Sequence, residues 1–312
     1  MKNVLKKLGS MVITLFAVSF LGFAAFAVIP GDPAVMRLKT NATPAAVEAL
    51  RHSMGLDRPF IVRYFDWLKD FFVGDMGVSY TYSRPVMSVI GSKMPVTLYL
   101  AVLSFIIMTA VSLPMAVYCA KNDGGRADRF ISGVNQVLMS VPSFFAGILI
   151  SYVFGIVLRV FVPGGYVSFS DDPGGFIYYM IFPAVAVALP KIAVCVRLLK
   201  SSIMSESGKD YVRTAYSRGE RGTTVLYRHV FWNALIPAVT FYAMQFVDLI
   251  AGSIITEQVF NIPGVGRILM TSIEGRDYPV VLAILMFVAA AAVIGDTVSD
   301  LSAMALDPRI RE

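Results

Sequence analysis

Side chains that could carry chemistry are few in this sequence, and they stand far apart. The 312 residues include two histidines, His52 and His229, and two cysteines, Cys119 and Cys195. Neither pair has the spacing of a metal site, and both cysteines fall inside apolar runs, where a thiol packs as a small core group. The sequence also lacks the Gly-x-x-x-x-Gly-Lys-Ser/Thr loop that binds ATP. We therefore expect no catalytic residue, no metal site and no cofactor in this chain.

One acidic residue stands in the middle of a long apolar run. Asp248 follows Met244 and Gln245 by about one helical turn. An ionisable side chain in a membrane span is costly and is usually retained for a function. Two interpretations stay open. The three residues line a polar pathway that favours cations, or the carboxylate accepts hydrogen bonds from a neighbouring helix and has no further role.

Long apolar runs must position these side chains. Hydrophobic residues make up 56% of the sequence and charged residues 15%, whereas soluble domains average roughly 45–50% and 25%. A membrane-spanning helix needs about 20 apolar residues, and six runs reach that length. They cover residues 11–29, 96–120, 130–161, 176–199, 225–255 and 280–305. The sequence thus predicts an all-α integral membrane protein with six transmembrane helices.

Some of these spans carry further expectations. The Ala-Phe-Ala sequence at residues 25–27 resembles a signal-peptidase site, so a cleaved signal peptide stays an alternative to an uncleaved first span. Pro142 predicts a kink in the third span. Arg159 and Lys191 lie near the ends of the third and fourth spans, and we expect their charged groups to extend to the membrane interface.

The segment between the first two spans contains two helix signals. Thr43 followed by Pro44 predicts the capped start of a short helix. The aromatic, amphipathic run at residues 60–72 predicts a helix that lies at the membrane interface or on the core of the protein.

Basic residues mark one set of helix ends. That set carries Lys2, Lys6, Lys7, Lys121, Arg126, Arg129, Arg197, Lys200, Lys209, Arg213, Arg218, Arg221, Arg228, Arg309 and Arg311. The opposite short loops carry only Arg267 and Arg276. Because cytoplasmic loops hold the excess of lysine and arginine, we expect both termini and the loop at 201–228 on the cytoplasmic side. His52 and His229 would then lie on opposite sides of the membrane and could not share a site.

A polar, basic stretch at residues 205–237 separates the fourth and fifth apolar runs. Its first part predicts a short amphipathic helix, because apolar and aromatic residues recur on one face. These residues are Tyr211, Val212, Ala215 and Tyr216. Gly219 is expected to end the helix in the left-handed conformation. Nothing in the stretch itself covers the apolar face, which is also typical of a helix that lies on the membrane surface.

The polar residues of this stretch predict helix caps. Ser207 or Asp210 is expected to cap the start of the short helix, and Thr223 or Thr224 the start of the next. His229 is expected to pack or to cap near the start of the fifth span.

The same stretch resembles the coupling loop of ABC-importer permeases, most closely those of the dipeptide/oligopeptide/nickel branch. The general pattern is Glu-Ala-Ala, three residues and Gly, and here Arg213, Thr214, Ala215 and Gly219 stand at those positions. Arg-Thr-Ala is common in the peptide branch, so the missing glutamate narrows the resemblance to that branch. Further segments resemble the family in the same order, at residues 29–33, 140–145, 261–267, 276–279 and 300–311.

This resemblance implies a type I ABC importer permease with the MetI-like fold, in the cell inner membrane. It implies residues 1–94 as a transmembrane helix plus an extracytoplasmic segment, and residues 95–312 as a five-helix core. Partners would be a second homologous permease, a substrate-binding protein and two ATPase subunits that bind ATP and magnesium. The loop residues expected to couple to the ATPase are Tyr211, Arg213, Thr214, Ala215, Arg218 and Gly219.

The resemblance leaves the cargo open between peptides, which we place first, and nickel or metal chelates. Related permeases often have a small residue where Asp248 stands, which hints at a cationic cargo. A different class of function is a self-sufficient secondary transporter with Asp248 as its ion site, although a lone acid makes a poor relay. A membrane-embedded enzyme would need a paired catalytic constellation, which the sequence lacks.

Overall fold

The computed structural model describes residues 2–28, 32–38 and 43–306 of the chain. These residues are mainly helical, and the strand-type pairing among them is an isolated antiparallel bridge between Val78 and Pro85. The helices in chain order are α1 (Lys2–Val28), α2 (Pro33–Leu38), α3 (Pro44–Ser53), α4 (Phe60–Val73), α5 (Val86–Gly91), α6 (Met94–Lys121), α7 (Arg126–Ser140), α8 (Ser143–Ile150), α9 (Pro173–Ser207), α10 (Asp210–Ser217), α11 (Gly222–Val225), α12 (Phe231–Val259), α13 (Val265–Glu274) and α14 (Tyr278–Leu306). Two π-helical segments, Ser151–Val157 and Leu226–Val230, continue α8 and join α11 to α12.

Five continuous stretches within the described residues are long and apolar enough to cross a membrane. They are Gly9–Phe26, Val86–Lys121, Pro173–Ser207, Gly222–Val259 and Tyr278–Asp300. A sixth span exists if α7 and α8 with its π-helical extension count as one broken span. The all-helical membrane architecture predicted from the apolar runs is therefore confirmed.

The third predicted span is the one whose form differs from expectation. Its two halves meet at an angle of 104°, which is a sharp break and no longer a kink in a continuous helix. Val141 takes an extended conformation (φ −91°, ψ 119°) because the ring of Pro142 excludes the residue before it from the helical region. The predicted position of the disruption is correct, and its size was underestimated.

One compact unit comprises residues 1–96 and 263–293. Its aromatic core lies between α1 and α4, where Tyr64 is 1% exposed and its hydroxyl group lies 2.8 Å from that of Ser19. The aromatic helix at 60–72 is therefore confirmed, and it packs on α1. Thr43 caps α3 as predicted, since its side chain accepts a hydrogen bond from the amide of Ala46. The expected exit of the first span at residues 29–33 falls partly outside the described residues.

The same unit contains a buried carboxylate. Asp277 is fully buried and accepts hydrogen bonds from the Ser79 hydroxyl group and from the amides of Tyr80 and Thr81. It ties the loop before α5 to the turn between α13 and α14.

The second unit comprises residues 97–262 and 294–312. Its core is formed by α6, α9, α10 and α12, and many of its buried residues are small, so the helices approach closely. Cys119 and Cys195 are both buried free thiols, as expected. Gly295 packs so close to α12 that a methyl group in its place would lie 2.0 Å from Val247 Cγ2. The C-terminal basic residues Arg309 and Arg311 lie outside the described residues.

Candidate functional site

The short helix predicted in the basic loop is present as α10, with a start that differs from the prediction. Lys209 is its N-cap residue and supplies no side-chain cap. Ser207 instead donates its hydroxyl group to the carbonyl of Ile203, within the last turn of α9. Asp210 is the first residue of α10, where its negative charge favours the helix N-terminus without capping it. Both predicted caps were wrong, because α9 continues to residue 207 and only two residues, Gly208 and Lys209, separate it from α10.

The end of α10 follows the prediction. Gly219 takes the left-handed conformation, with φ at +81°, and its amide donates to the carbonyl of Tyr216 over 2.9 Å. The amide of Glu220 then reaches the carbonyl of Ala215 over 3.3 Å. Such bonds satisfy carbonyl groups that a helix end leaves free. A β-carbon at Gly219 would meet no atom within 4 Å, so only the backbone conformation restricts this position.

Half of the predicted apolar face of α10 is covered by the chain's own core, contrary to our expectation, while Tyr211 and Tyr216 are exposed. Val212 is 2% exposed and Ala215 6% exposed, and both belong to the core cluster that contains Val225 and Val230. Sequence reasoning missed this because the covering residues come from α11 and the π-helical turn after it. The exposed residues of α10 and of the turn after it are Tyr211, Arg213, Thr214, Tyr216, Ser217, Arg218 and Gly219. Of the predicted coupling residues, Ala215 is therefore an anchor, and the others lie at the surface.

Polar contacts fix α10 to the helices on either side. Glu206 at the end of α9 binds the Lys209 ammonium group and accepts a 2.9 Å hydrogen bond from the Tyr211 hydroxyl group. Asn233 at the start of α12 lies 3.3 Å from that hydroxyl group. Burial, and then the bond to Glu206, raise the pKa of Tyr211 above its usual value. The phenol therefore stays protonated and keeps donating to the carboxylate.

The segment after α10 is held by a histidine. His229 Nε2 lies 2.9 Å from Glu220 Oε2, so this side chain binds the turn that follows Gly219. The expected cap at Thr223 or Thr224 is absent, because the next helix already begins at Gly222, with Arg221 before it and no side-chain cap.

The acidic residue singled out in the fifth span has a basic partner. Lys191 Nζ lies 2.9 Å from Asp248 Oδ2, which joins α9 to α12 near the middle of both helices. The two side chains remain 26% and 55% exposed. The expectation that Lys191 extends to the interface was wrong, because a carboxylate lies within its reach. The pair is neutral as a whole, so Asp248 alone no longer argues for a cationic cargo.

The other two candidate pathway residues point in different directions. Met244 lies one turn from Asp248 and is exposed like it, whereas Gln245 is buried. The Gln245 side-chain oxygen has no hydrogen-bond partner among the described residues. Met244 and Asp248 therefore share one surface of α12, and Gln245 belongs to the packed side of the helix.

A cavity of about 380 Å³ lies on the α10 side of this charge pair. Its α9 wall includes Leu198, which is seven residues after Lys191, and its α12 wall includes Phe241, seven residues before Asp248. Seven residues are two helical turns, or about 10 Å. The complete lining is Met139, Val194, Arg197, Leu198, Ser201, Ser202 and Phe241. The surface with the charge pair thus continues towards α10 as a hollow that contains an arginine and two serines.

Two polar contacts in this unit escaped the sequence analysis. Lys200 binds the buried carboxylate of Asp128 over 2.7 Å, which joins α9 to the start of α7. Glu257 is fully buried and accepts a 2.7 Å hydrogen bond from Thr97. An acidic residue two positions beyond the predicted end of the fifth span was a usable signal for Glu257. No local pattern indicated the pairing of Asp128 with Lys200, because 72 residues separate them.

Comparison with known proteins gives matches along almost the whole chain. The family model described as "Binding-protein-dependent transport system inner membrane component" matches residues 112–312. A second one, described as "Binding-prot-dependent transport system membrane comp, N-term", matches residues 1–101. Both helix α10 and the Lys191–Asp248 pair fall inside the first match.

Individual relatives are similar over their full length. A Brucella abortus protein whose name describes a peptide transport system permease is 35% identical over 308 residues, which are 99% of this chain and 98% of that protein. The dipeptide transport system permease protein DppB of Lactococcus lactis is 31% identical over 311 residues, 99% of both chains. The oligopeptide transport system permease protein AppB of Bacillus subtilis is 30% identical over 299 residues, 95% of both chains.

Proposed function

Because this chain belongs to the family of binding-protein-dependent transport system inner membrane components, we propose that it is the permease subunit of an ATP-driven peptide importer. The names of its relatives support the cargo, since they describe peptide, dipeptide and oligopeptide transport permeases. The family is a membrane component, so ATP hydrolysis belongs to partner subunits. In this proposal residues 1–94 add a span and an extracytoplasmic segment to a core formed by residues 95–312.

The exposed face of α10 is the proposed docking surface for an ATPase subunit. The observation that carries this proposal is the division of α10 into two sides. Val212 and Ala215 anchor one side in the chain's own core, while Arg213, Tyr216 and Arg218 extend outward. A helix anchored in this way transmits a push from a partner directly to α9, α11 and α12, because those elements hold it.

The complete importer would contain four kinds of component. We propose this permease, a second homologous permease, two ATPase subunits that bind ATP and magnesium, and an extracytoplasmic substrate-binding protein. In this arrangement α10 and both termini lie on the cytoplasmic side of the inner membrane, an orientation that the basic residues around α10 favour.

The proposed pathway runs along the surface of α12 that carries Met244 and Asp248. A half-exposed ion pair would be costly against lipid, so this surface is better suited to a water-filled route or to the partner permease. The Lys191–Asp248 pair offers one positive and one negative group. That combination suits a zwitterionic peptide with free termini better than it suits a bare cation.

Reconstitution in vesicles tests the proposed function. Vesicles that contain the permease pair and the ATPase subunits are loaded with ATP, supplied with binding protein and offered labelled dipeptides, oligopeptides or nickel. We expect ATP-dependent uptake of the peptides, and no uptake when the ATPase subunits cannot hydrolyse ATP. Uptake of nickel but not of peptides would refute the proposed cargo. Gradient-driven transport by this chain alone, without ATP, would refute the importer and support a secondary transporter.

A further inference from the structure

Lys200, about two turns before the end of α9, binds two acidic side chains. Its ammonium group lies 2.7 Å from both carboxylate oxygens of Asp128 and 2.9 Å from Asp123 Oδ1. The Asp128 side chain is only 5% exposed, whereas that of Asp123 is 48% exposed. Lys200 therefore makes one buried contact with two bonds and one further contact nearer the solvent.

Asp128 in turn organises the turn between α6 and α7. Its carboxylate accepts a hydrogen bond from the amide of Gly124 over 3.0 Å, and Gly124 is in the left-handed conformation with φ at +72°. The hydroxyl group of Ser132, one turn further along α7, lies 3.5 Å from the same carboxylate. The carboxylate thus belongs both to the turn and to the first part of α7.

The position of Lys200 connects this turn to the coupling helix. Lys200 precedes the end of α9 by seven residues, or about two helical turns. In the last turn of α9, Glu206 binds Lys209 and Tyr211, at the start of α10. A displacement of α10 therefore reaches the end of α9, and Lys200 is a polar link from there to the α6–α7 turn and to α7.

A buried ion pair is a poor way to obtain stability alone. Its desolvation offsets much of the attraction, and apolar residues of similar size are often at least as stabilising. What such a pair adds is one defined arrangement, because moving either helix leaves an unpaired charge in a buried place. The pair suits two helices that must move together.

We propose that Lys200, through Asp128, is a positioning residue for energy coupling, which makes α6 and α7 follow α9 when α10 is displaced. This inference rests on the proposed function, since it requires an ATPase partner that acts on α10. Helix α7 leads directly to the break at Pro142, so the link carries movement from α10 to the broken span.

The test measures cargo transported per ATP hydrolysed in the reconstituted complex. In Lys200→Met we expect transport to fall about tenfold, a typical coupling effect, while hydrolysis stays near the wild-type rate. Asp128→Asn should give the same loss, and it is the variant more certain to fold, because its amide oxygen still accepts from Gly124. Lys200→Arg should retain coupling. Arg129→Met is the matched control, since it removes an exposed charge from the next position of α7.

The outcomes separate coupling from a merely structural role. A parallel fall of transport, hydrolysis and complex abundance in both Lys200→Met and Asp128→Asn would overturn the inference, because a structural pair predicts that result. An unchanged transport-to-hydrolysis ratio in both variants would also overturn it, while the proposed function would stand. A wild-type complex without ATP-driven transport would overturn the proposed function and this inference together.

Discussion

Replacing Gly219 with valine perturbs the turn after α10 through its backbone alone. The residue has φ at +81°, and a β-carbon there would meet no atom within 4 Å. Steric overlap of the β-carbon with the surroundings therefore contributes nothing. An L-residue in the left-handed conformation costs about 1–2 kcal/mol, and a β-branched side chain lies at the upper end or beyond. That strain changes the ratio of the native turn to rearranged turns by roughly 5–30-fold.

Transport and cargo-stimulated ATP hydrolysis in the reconstituted complex are the assay. We expect both activities to fall by up to that factor in Gly219→Val, because in the rearranged turn α10 would meet its ATPase partner in the wrong orientation. Gly219→Asn should be milder, since asparagine tolerates the left-handed region. Gly208→Ala is the matched control, because Gly208 lies just before α10, at the opposite end from Gly219, and has an ordinary φ of −80°.

The amount of protein in the membrane must be measured alongside. The strain is confined to one exposed turn, so we expect wild-type abundance in all three variants. If Gly219→Val hydrolysed ATP and transported cargo at the wild-type rate, the left-handed turn would have no part in coupling, and the assignment of α10 would be refuted.

Three further predictions concern contacts between helices and use the thermal midpoint of the purified protein. Asp248→Asn should lower the midpoint by the equivalent of about 1 kcal/mol, because the Lys191 ammonium group is left without a partner. Adding Lys191→Met to the same chain should restore the midpoint, and an unchanged midpoint in Asp248→Asn alone would contradict the pair. Gly295→Ala should lower the stability by about 1–3 kcal/mol, since its methyl group would overlap a side chain of α12. Gly252→Ala, with its nearest neighbour at 3.9 Å, should be neutral or stabilising, and equal effects of the two variants would contradict the close packing at Gly295. Thr97→Val should lower the stability by about 1–3 kcal/mol, because the buried carboxylate of Glu257 loses a hydrogen-bond donor. Thr97→Ser should be close to wild type, and a valine variant as stable as the serine variant would argue against that hydrogen bond.

Features with a local cause were predictable from the sequence. The apolar runs indicated the spans, because crossing a membrane demands length and composition that few other structures share. Gly219 indicated the end of α10, and Thr43 the start of α3, since both act on their own few residues. Pro142 indicated the disruption of the third span, although the angle depends on packing that the sequence does not display.

Features that depend on distant partners were not predictable. The caps at Ser207 and Asp210 failed because α9 extends two turns beyond its apolar part, where tertiary contacts and not hydropathy support it. Asp248 was read as a lone acid because Lys191 is 57 residues away. The apolar face of α10 was read as uncovered because its cover comes from α11 and the turn after it. The coupling residues themselves remain a prediction, supported by the exposure of one face of α10.

Crosslinking from single cysteines on α10 tests the central claim, that its exposed face binds an ATPase subunit. Thr214→Cys and Arg218→Cys place a thiol on the exposed face, whereas Ala215→Cys places it on the buried side of the same helix. The native thiols, Cys119 and Cys195, are buried. With a short thiol-to-amine crosslinker in native membranes, we expect the two exposed positions to capture the ATPase subunit and position 215 to fail. If the exposed positions never captured it in membranes that contain the ATPase, or if position 215 captured it equally well, the account of α10 would be contradicted.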